Sequence, residues 1–406
     1  VTAGADAVVI GGGAAGIAAA RTLQDAGRDV LLIEARDHLG GRALSFAAGA
    51  GMTLDLGCGW LHSARRNPWA GLAERYGFTV DRSSPNWGVQ WQHLGFPPGE
   101  QEAFGKAWES WERRVRAGVA AGDQPLSAFL PREDRWYPYL DAISGYANGA
   151  PLDAVSAVDW LAYEDASTED NWALREGYGT LVARHAEGLA VRLGCVAERI
   201  DHSRRLVRVE TSAGPLETRA VICALPTPAY ARLAFHPALP DKHAAAADLP
   251  LGLADKVFLA VDGPLPWPAH SHLAGNPHSA VTFSHRLSPF GWPVIESFIG
   301  GTGAEEAQSG EAAAALAIDE LVALLGSDWR ARLRPIRATR WRHEAYIHGS
   351  YSHARIGAHG QRRVLAEAVD GRLFFAGEAC HESDFSTAHG AFETGVTAAE
   401  AVLSAI

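Results

Sequence analysis

Gly11, Gly13 and Gly16, then Glu34, then Gly40, Gly41 and Arg42 are spaced like the parts of a dinucleotide cradle. Gly11 permits a tight turn, Gly13 leaves no side chain between the backbone and a pyrophosphate, and Gly16 lets a helix pack closely on a strand. Ala14 and Ala15 then fall in the first helical turn, whose unbonded N–H groups point at the diphosphate. Glu34, about 20 residues after the glycines, suits hydrogen bonds from both hydroxyls of an unphosphorylated ribose. Beyond Ala35, Arg36 hints at a 2′-phosphate, but Glu34 argues against one. A lone G-x-G-x-x-G also arises for purely structural reasons, and here its context raises its weight. Gly41 and Arg42 select FAD over NAD, because they add flexible backbone and a guanidinium able to pair with a diphosphate in bidentate fashion.

Lys256 is the most informative single charge. It sits in LADKVFLAV among Val257, Phe258, Leu259 and Val261, where burying an unpaired ammonium is costly. A strand-edge lysine that snorkels to solvent is the competing explanation. Among the 17 histidines, His270 with His272, and His348 with His353 and His359, invite a metal reading. No Cys or carboxylate spacing supports it, and no metal is expected.

These residues need elements to hold them. Val8, Val9 and Ile10 read as a buried strand, Ala14 to Leu23 as a helix, and Asp29 to Ile33 as a second strand ending at Glu34. After Gly77 the βα alternation stops, and Trp87, Trp91, Trp108, Trp111 and Trp136 punctuate what looks like an inserted domain. Val191 to Ile200, Leu206 to Thr211, Arg219 to Ala224, Ala254 to Val261 and Arg372 to Ala376 read as strands. Ala304 to Leu325 has the period of an amphipathic helix, and Gly390 to Ile406 reads as a terminal one.

Composition bounds the function. The chain has 406 residues, enough for two domains with full cores, and a formal charge of -11 that disfavours a nucleic-acid binder. Cys58, Cys195, Cys223 and Cys380 are widely spaced, without a C-x-x-C pair, which suits reduced thiols in a cytoplasmic protein. No apolar stretch approaches the roughly 20 residues of a membrane span. VTAGADAVVI leads directly into the first strand, so no signal peptide is expected.

Several blocks, in order, resemble the flavin-containing amine oxidases, the group of monoamine oxidases, polyamine oxidases and flavin-dependent lysine demethylases. They are VVIGGGAAGIAAARTL, LIEARDHLGGRALS, DLGCGWLHS, EGYGTLVARHAEGL, LADKVFLAV, TRWRHEAYIHGSYSHARIG and LFFAGEACHESDFSTAHGAFETGV. The resemblance implies that Gly377 and Glu378 lie by the flavin's ribityl and diphosphate, and that Thr387 and Ala388 lie against its ring. It implies that Gly59 and Trp60 run under the ring. Val196 would meet the adenine through its backbone, although by itself it also reads as a core strand residue. Lys256 matches a lysine that holds a water at flavin N5. Trp341 and Tyr351 match aromatic positions of the site, Tyr351 shaping the path of the amine. His62 stands where animal and fungal polyamine oxidases tend to have histidine facing the substrate nitrogen; a hydrogen-bonded loop histidine is its plainer reading. Two departures matter: Thr387 replaces the tyrosine of an aromatic cage, and Ser350 replaces the cysteine that bonds to flavin in monoamine oxidases, which implies non-covalent FAD.

The expected fold is α/β: a Rossmann-type FAD-binding domain from residues 1–80, 173–253 and 341–406, with an inserted mixed α+β substrate domain from 81–172 and 254–340. The expected reaction is FAD-dependent oxidation of a polyamine or other secondary amine by hydride transfer to flavin N5, dioxygen taking the electrons as hydrogen peroxide. The expected partners are a small-molecule amine and dioxygen, with neither nucleic acid nor membrane. The alternative is an FAD-dependent oxidase or dehydrogenase of another substrate, such as an aromatic monoamine or an amino acid; for the amino acid, Arg286 or Arg342 could bind the carboxylate. A demethylase scaffold lacks its long helical insertion here, and a non-catalytic FAD-binding protein gives Lys256 and Tyr351 no reason to match.

Overall fold

Val8, Val9 and Ile10 are apolar at consecutive positions, as a strand covered on both faces requires. In the computed structural model, which describes residues 5–406, Ala7–Ile10 is the middle strand of a five-stranded parallel sheet and is at most 3% exposed. The order across the sheet is Leu373–Phe375, Ala220–Cys223, Ala7–Ile10, Val30–Ile33 and Val191–Arg192. Residues 1–4, read above as leading straight into the first strand, lie outside the described residues.

One sheet face is covered by the Ala14–Asp25 and Ala388–Ala405 helices, which meet so closely that a Cβ on Gly395 would lie 2.2 Å from the Ala15 carbonyl oxygen. Ile17, Leu23, Leu32, Trp69 and Leu181 fill the core there. On the other face, Val8, Ile10, Val221 and Cys223 pack with Ile200, Val207 and Val209 of a four-stranded sheet.

The chain divides into two compact units. Val1–Arg82, Ala162–Leu251 and Ala345–Ile406 form the first, and Ser83–Leu161 with Gly252–Glu344 the second. Residues 162–172, expected in the second, therefore fall in the first. Leu61 and Trp172 exchange backbone hydrogen bonds of 2.7 and 3.2 Å, and Ala64 N–H donates to Asp170 O. Residues 341–344 shift the other way, because the Asp255 carboxylate accepts from Trp341 N–H at 3.0 Å.

The second unit has an antiparallel sheet in the order Ser271–Ala274, Ser284–Leu287, Val294–Gly300, Ala254–Val261 and Leu333–Ala338. Strand alternation sends Val257, Leu259, Ile295 and Ile299 to one face, where they pack on Ala313, Ala317 and Leu321 of the Gly310–Leu325 helix. A separate cluster holds Trp111, Val115, Leu126, Leu140 and Trp160.

Several expected bounds change. The single helix over 304–325 is two, Gly301–Glu306 and Gly310–Leu325, because Ser309 caps the second by accepting from Ala312 N–H at 3.0 Å. The 191–200 strand splits into Val191–Arg192 and Ala197–Asp201, which belong to different sheets. The terminal helix starts at Ala388 instead of Gly390, with Thr387 as its cap. Cys58 is half-buried and the other three cysteines are buried, all as free thiols. Among the described residues no helix is long and apolar enough to cross a membrane.

Candidate active site

The turn after Ala7–Ile10 requires its glycines. Gly11 has φ +105°, and a Cβ there would lie 2.3 Å from Ala224 O; a Cβ on Gly16 would lie 1.9 Å from Gly11 O. At Gly13 the nearest neighbour of such a Cβ is the Cα of Gly41, 3.8 Å away, so the N-terminus of the Ala14–Asp25 helix is bounded here by backbone alone. Ile17 is the first amide to find its acceptor four residues back, Gly13 O, which leaves the N–H groups of Ala14, Ala15 and Gly16 outside the intrahelical ladder. Gly40 N–H donates to Gly12 O at 2.8 Å and brings Gly41 over the turn.

Glu34 is buried and held on both oxygens: Oε2 accepts from Gly12 N–H at 2.7 Å and Oε1 from Arg36 N–H at 2.8 Å, across Ala35. Each oxygen keeps a second lone pair, as a ribose diol needs. The guanidinium of Arg36 donates to Gly41 O at 2.8 Å, so it braces the loop. The residues present fit FAD by this donor and acceptor set: helix amides for a diphosphate, and an oriented carboxylate for an unphosphorylated ribose.

Arg42 Nη1 donates to Glu378 Oε1 at 2.8 Å and to Ser350 O at 2.5 Å, so protein contacts orient the guanidinium. The other oxygen of Glu378 accepts from Ser352 Oγ at 2.6 Å and Ser386 N–H at 2.9 Å. Burial pushes the Glu378 carboxyl up, but Arg42, Ser352 and Arg362 outweigh it and hold it below the usual carboxylate range. This one carboxylate therefore ties together the segments that carry Arg42, Tyr351 and Thr387. Gly377, beside it, donates its N–H to Thr394 Oγ1 at 3.0 Å.

Val196 N–H donates to Ser212 Oγ at 3.0 Å and its carbonyl accepts from Ser212 N–H at 2.9 Å. Thr387 caps the terminal helix, accepting from Gly390 N–H at 3.0 Å and donating to Asp384 O at 2.6 Å, with Ala388 as the first helical residue. Gly59 and Trp60 are half-buried in the loop after Met52–Asp55, which Cys58 N–H ties to Arg42 O. His62 Nδ1 lies 2.6 Å from Asn171 Oδ1, which places the proton on Nδ1 and the lone pair on Nε2 in the neutral ring. Ser350 Oγ is buried, with no hydrogen-bond partner among the described residues.

Lys256 and Trp341 belong to the second unit. Lys256 is 7% exposed and its Nζ lies 2.7 Å from Glu296 Oε1, so it does not snorkel. The carboxyl of Asp255, pushed up by burial, accepts from Thr339 Oγ1 at 2.8 Å and from Trp341 N–H, so the Trp341 turn is fastened to the strand beside Lys256. Burial also pushes Glu296 up, yet the charges of Lys256 and Arg286 hold it below the usual range.

Sequence reasoning missed Asn171, Arg362, Asp255 and Glu296. Glu296 had a signal, an acid in the apolar strand VIESFIG matching a lysine in ADKVFLAV. His381, Asp384 and Glu393 bring ligand atoms within 4.8 Å of one another, but Arg66 donates to both oxygens of Asp384. That group is a hydrogen-bonded network of charges.

The sequence profile described as flavin-containing amine oxidoreductase matches residues 14–403. Polyamine oxidase 2 of Arabidopsis thaliana is 30% identical, with 97% of this chain and 87% of that protein covered. Lysine-specific histone demethylase 2 of Homo sapiens is 24% identical, but the chain covers only 53% of it. Among solved structures, cyclohexylamine oxidase from Brevibacterium oxydans superposes with TM-score 0.79 at 20% identity over 99% of both chains. Putrescine oxidase bound to putrescine gives 0.78 at 20% identity, covering 98% of this chain and 99% of that one. With the profile matched along nearly its whole length, the chain belongs to the flavin-containing amine oxidoreductases, as an FAD-dependent enzyme that oxidises amines.

Proposed function

We propose that the chain oxidises an aliphatic di- or polyamine, or an N-substituted derivative, at a carbon next to nitrogen, with dioxygen as electron acceptor. The observation that carries the substrate class is the 30% identity to a polyamine oxidase over 97% of the chain. The chemistry that FAD supplies when bound is hydride acceptance at N5 from that carbon and delivery of the electron pair to dioxygen as hydrogen peroxide, the imine hydrolysing to an aldehyde and a shorter amine.

The chain's own residues bind, orient and move protons. The amides of Ala14, Ala15 and Gly16 take the diphosphate, and Glu34 the ribose. His62, oriented by Asn171, accepts a proton from the arriving ammonium, because hydride leaves a neutral amine more readily. Tyr351 shapes the approach of the amine. The ammonium of Lys256 stabilises negative charge developing on reduced oxygen. Ser350 in place of a cysteine makes the cofactor releasable by acid or heat. Four free thiols fit a cytoplasmic location.

An amino-acid oxidase is the weaker reading. Arg286 faces Glu296 at 3.6 Å and Arg342 faces Glu305 at 3.3 Å, so both candidate carboxylate clamps already have acidic partners.

An amine panel with peroxide detection under air, run beside anaerobic flavin bleaching, tests the proposal. Polyamines and their acetylated forms should give the highest kcat/KM, falling as salt rises. Preference for an aromatic monoamine or an amino acid overturns the substrate class, and bleaching without peroxide overturns the acceptor. Lys256→Met should slow reoxidation by about tenfold or more while amine reduction changes little; equal reoxidation rates remove the role given to Lys256.

A further inference from the structure

Three adjacent strands of the second unit place opposite charges on one sheet face. Arg286 and Glu296 are directly paired across strands; Glu296 also faces Phe258, which puts Lys256 one diagonal step away. Lys256 Nζ lies 2.7 Å from Glu296 Oε1, and Arg286 Nη1 3.6 Å from Glu296 Oε2. Arg286 in turn donates through Nη2 to His270 Nδ1 at 2.9 Å. The three charged side chains are 9%, 12% and 13% exposed for Lys256, Arg286 and Glu296.

A lysine side chain has a flexible four-carbon stem, so its ammonium is aimed only when something holds its end. A carboxylate between two cations largely shielded from solvent does that, and the rigid pairing of the strands fixes where the carboxylate stands. Replacing it by a neutral amide leaves two like charges on one face, which repel and displace the more flexible one.

We propose that Glu296 is the positioning residue of Lys256: its carboxylate, braced by Arg286 and His270, fixes the ammonium that serves the oxidative half-reaction. This rests on the role given to Lys256 above, and the test separates the two.

Single variants Glu296→Gln and Lys256→Met and the double variant are loaded with FAD, and both half-reactions are followed by stopped flow. Glu296→Gln should slow reoxidation about tenfold, leave reduction within about twofold, and add nothing in the Lys256→Met background. A second readout needs no turnover: urea unfolding of these three variants and the parent, without cofactor, should give a favourable coupling between the two positions. Glu296→Asp, which withdraws the carboxylate by one methylene, should slow reoxidation by about threefold, an effect that also vanishes with Lys256→Met. That variant carries the test if Glu296→Gln does not fold. Parental reoxidation in the Glu296 variants, beside a slow Lys256→Met, overturns the positioning role and leaves Lys256 in place. Parental reoxidation in Lys256→Met overturns the underlying reading instead. Slowing by Glu296→Gln that persists in the double variant, or no coupling in urea, also overturns the proposal.

Discussion

Glu378, buried, and Glu296, mostly shielded from solvent, are each a carboxylate attended by two cations, but they are built into different kinds of scaffold. Glu378 gathers Arg42, Ser352 and Ser386 from loops far apart in sequence, and Arg362, on the short Gln361–Ala366 helix, reaches the same group through Ser352 Oγ at 2.9 Å. Glu296 joins side chains on strands whose pairing already fixes the backbone. The same charge pattern holds chain segments together in the first unit and aims a side chain in the second. Removing the first should cost structure, and removing the second should cost a rate.

The largest expected effect follows from that contrast. Glu378→Gln leaves Arg42 and Arg362 without their shared counter-charge and should destabilise the protein by about 3 kcal/mol. FAD content per chain should fall with it. Thermal unfolding and the flavin absorbance of the purified variant check this; normal stability with full flavin would erase the distinction between the two carboxylates.

Acidification probes both regions at once, with a slightly smaller effect. Burial pushes Glu378, Glu296 and Asp384 up, but neighbouring cations and hydrogen bonds hold all three below the usual range. A carboxyl depressed in the folded state contributes stability that is fully present above its unfolded pKa and is lost as pH falls through its folded value. Stability should therefore hold from neutrality down to about pH 5 and decline below about pH 4 as these groups take up protons. Melting curves across that range check the sign, and the acid decline should be shallower in Glu378→Gln than in the parent.

The smallest effect concerns a loop-held group. Asn171→Ala removes the acceptor of His62 Nδ1 and should lower kcat/KM about fivefold, the worth of about one hydrogen bond, with little change in melting. A loss as large as that of His62→Ala would mean that Asn171 does more than orient the ring.

What the sequence disclosed follows the same division. The Gly11, Gly13 and Gly16 turn was legible because part of what it requires is local: a positive φ at Gly11 and the close approach of Gly16 to Gly11 O, within six residues. Lys256 was legible as an anomaly, a charge in an apolar strand, and Glu296 was the same anomaly overlooked. Arg362 was not legible. In QRRVLAEA it reads as a surface arginine, and it is 0% exposed only because Ser352 and the Phe385 ring close around it. The Glu378 partner of Arg42 was equally hidden, since it lies 336 residues away in sequence. The helix break before Gly310 left a local sign in Ser309, but the apolar period continues across it and masks the cap.

The insertion of the second unit into the first has a consequence for synthesis. The Ala220–Cys223 strand acquires its outer neighbour, Leu373–Phe375, only after about 150 further residues have been added, which takes about 8–30 s at ordinary translation speed. Throughout that interval one side of Ala220–Cys223, a strand with no polar side chain, lacks its ladder partner and is open to pairing with another nascent chain. Slow, crowded translation therefore places the hazard of aggregation in the middle of the cofactor domain, and shielding that single edge on the ribosome is the point at which a chaperone gives this polypeptide the most help.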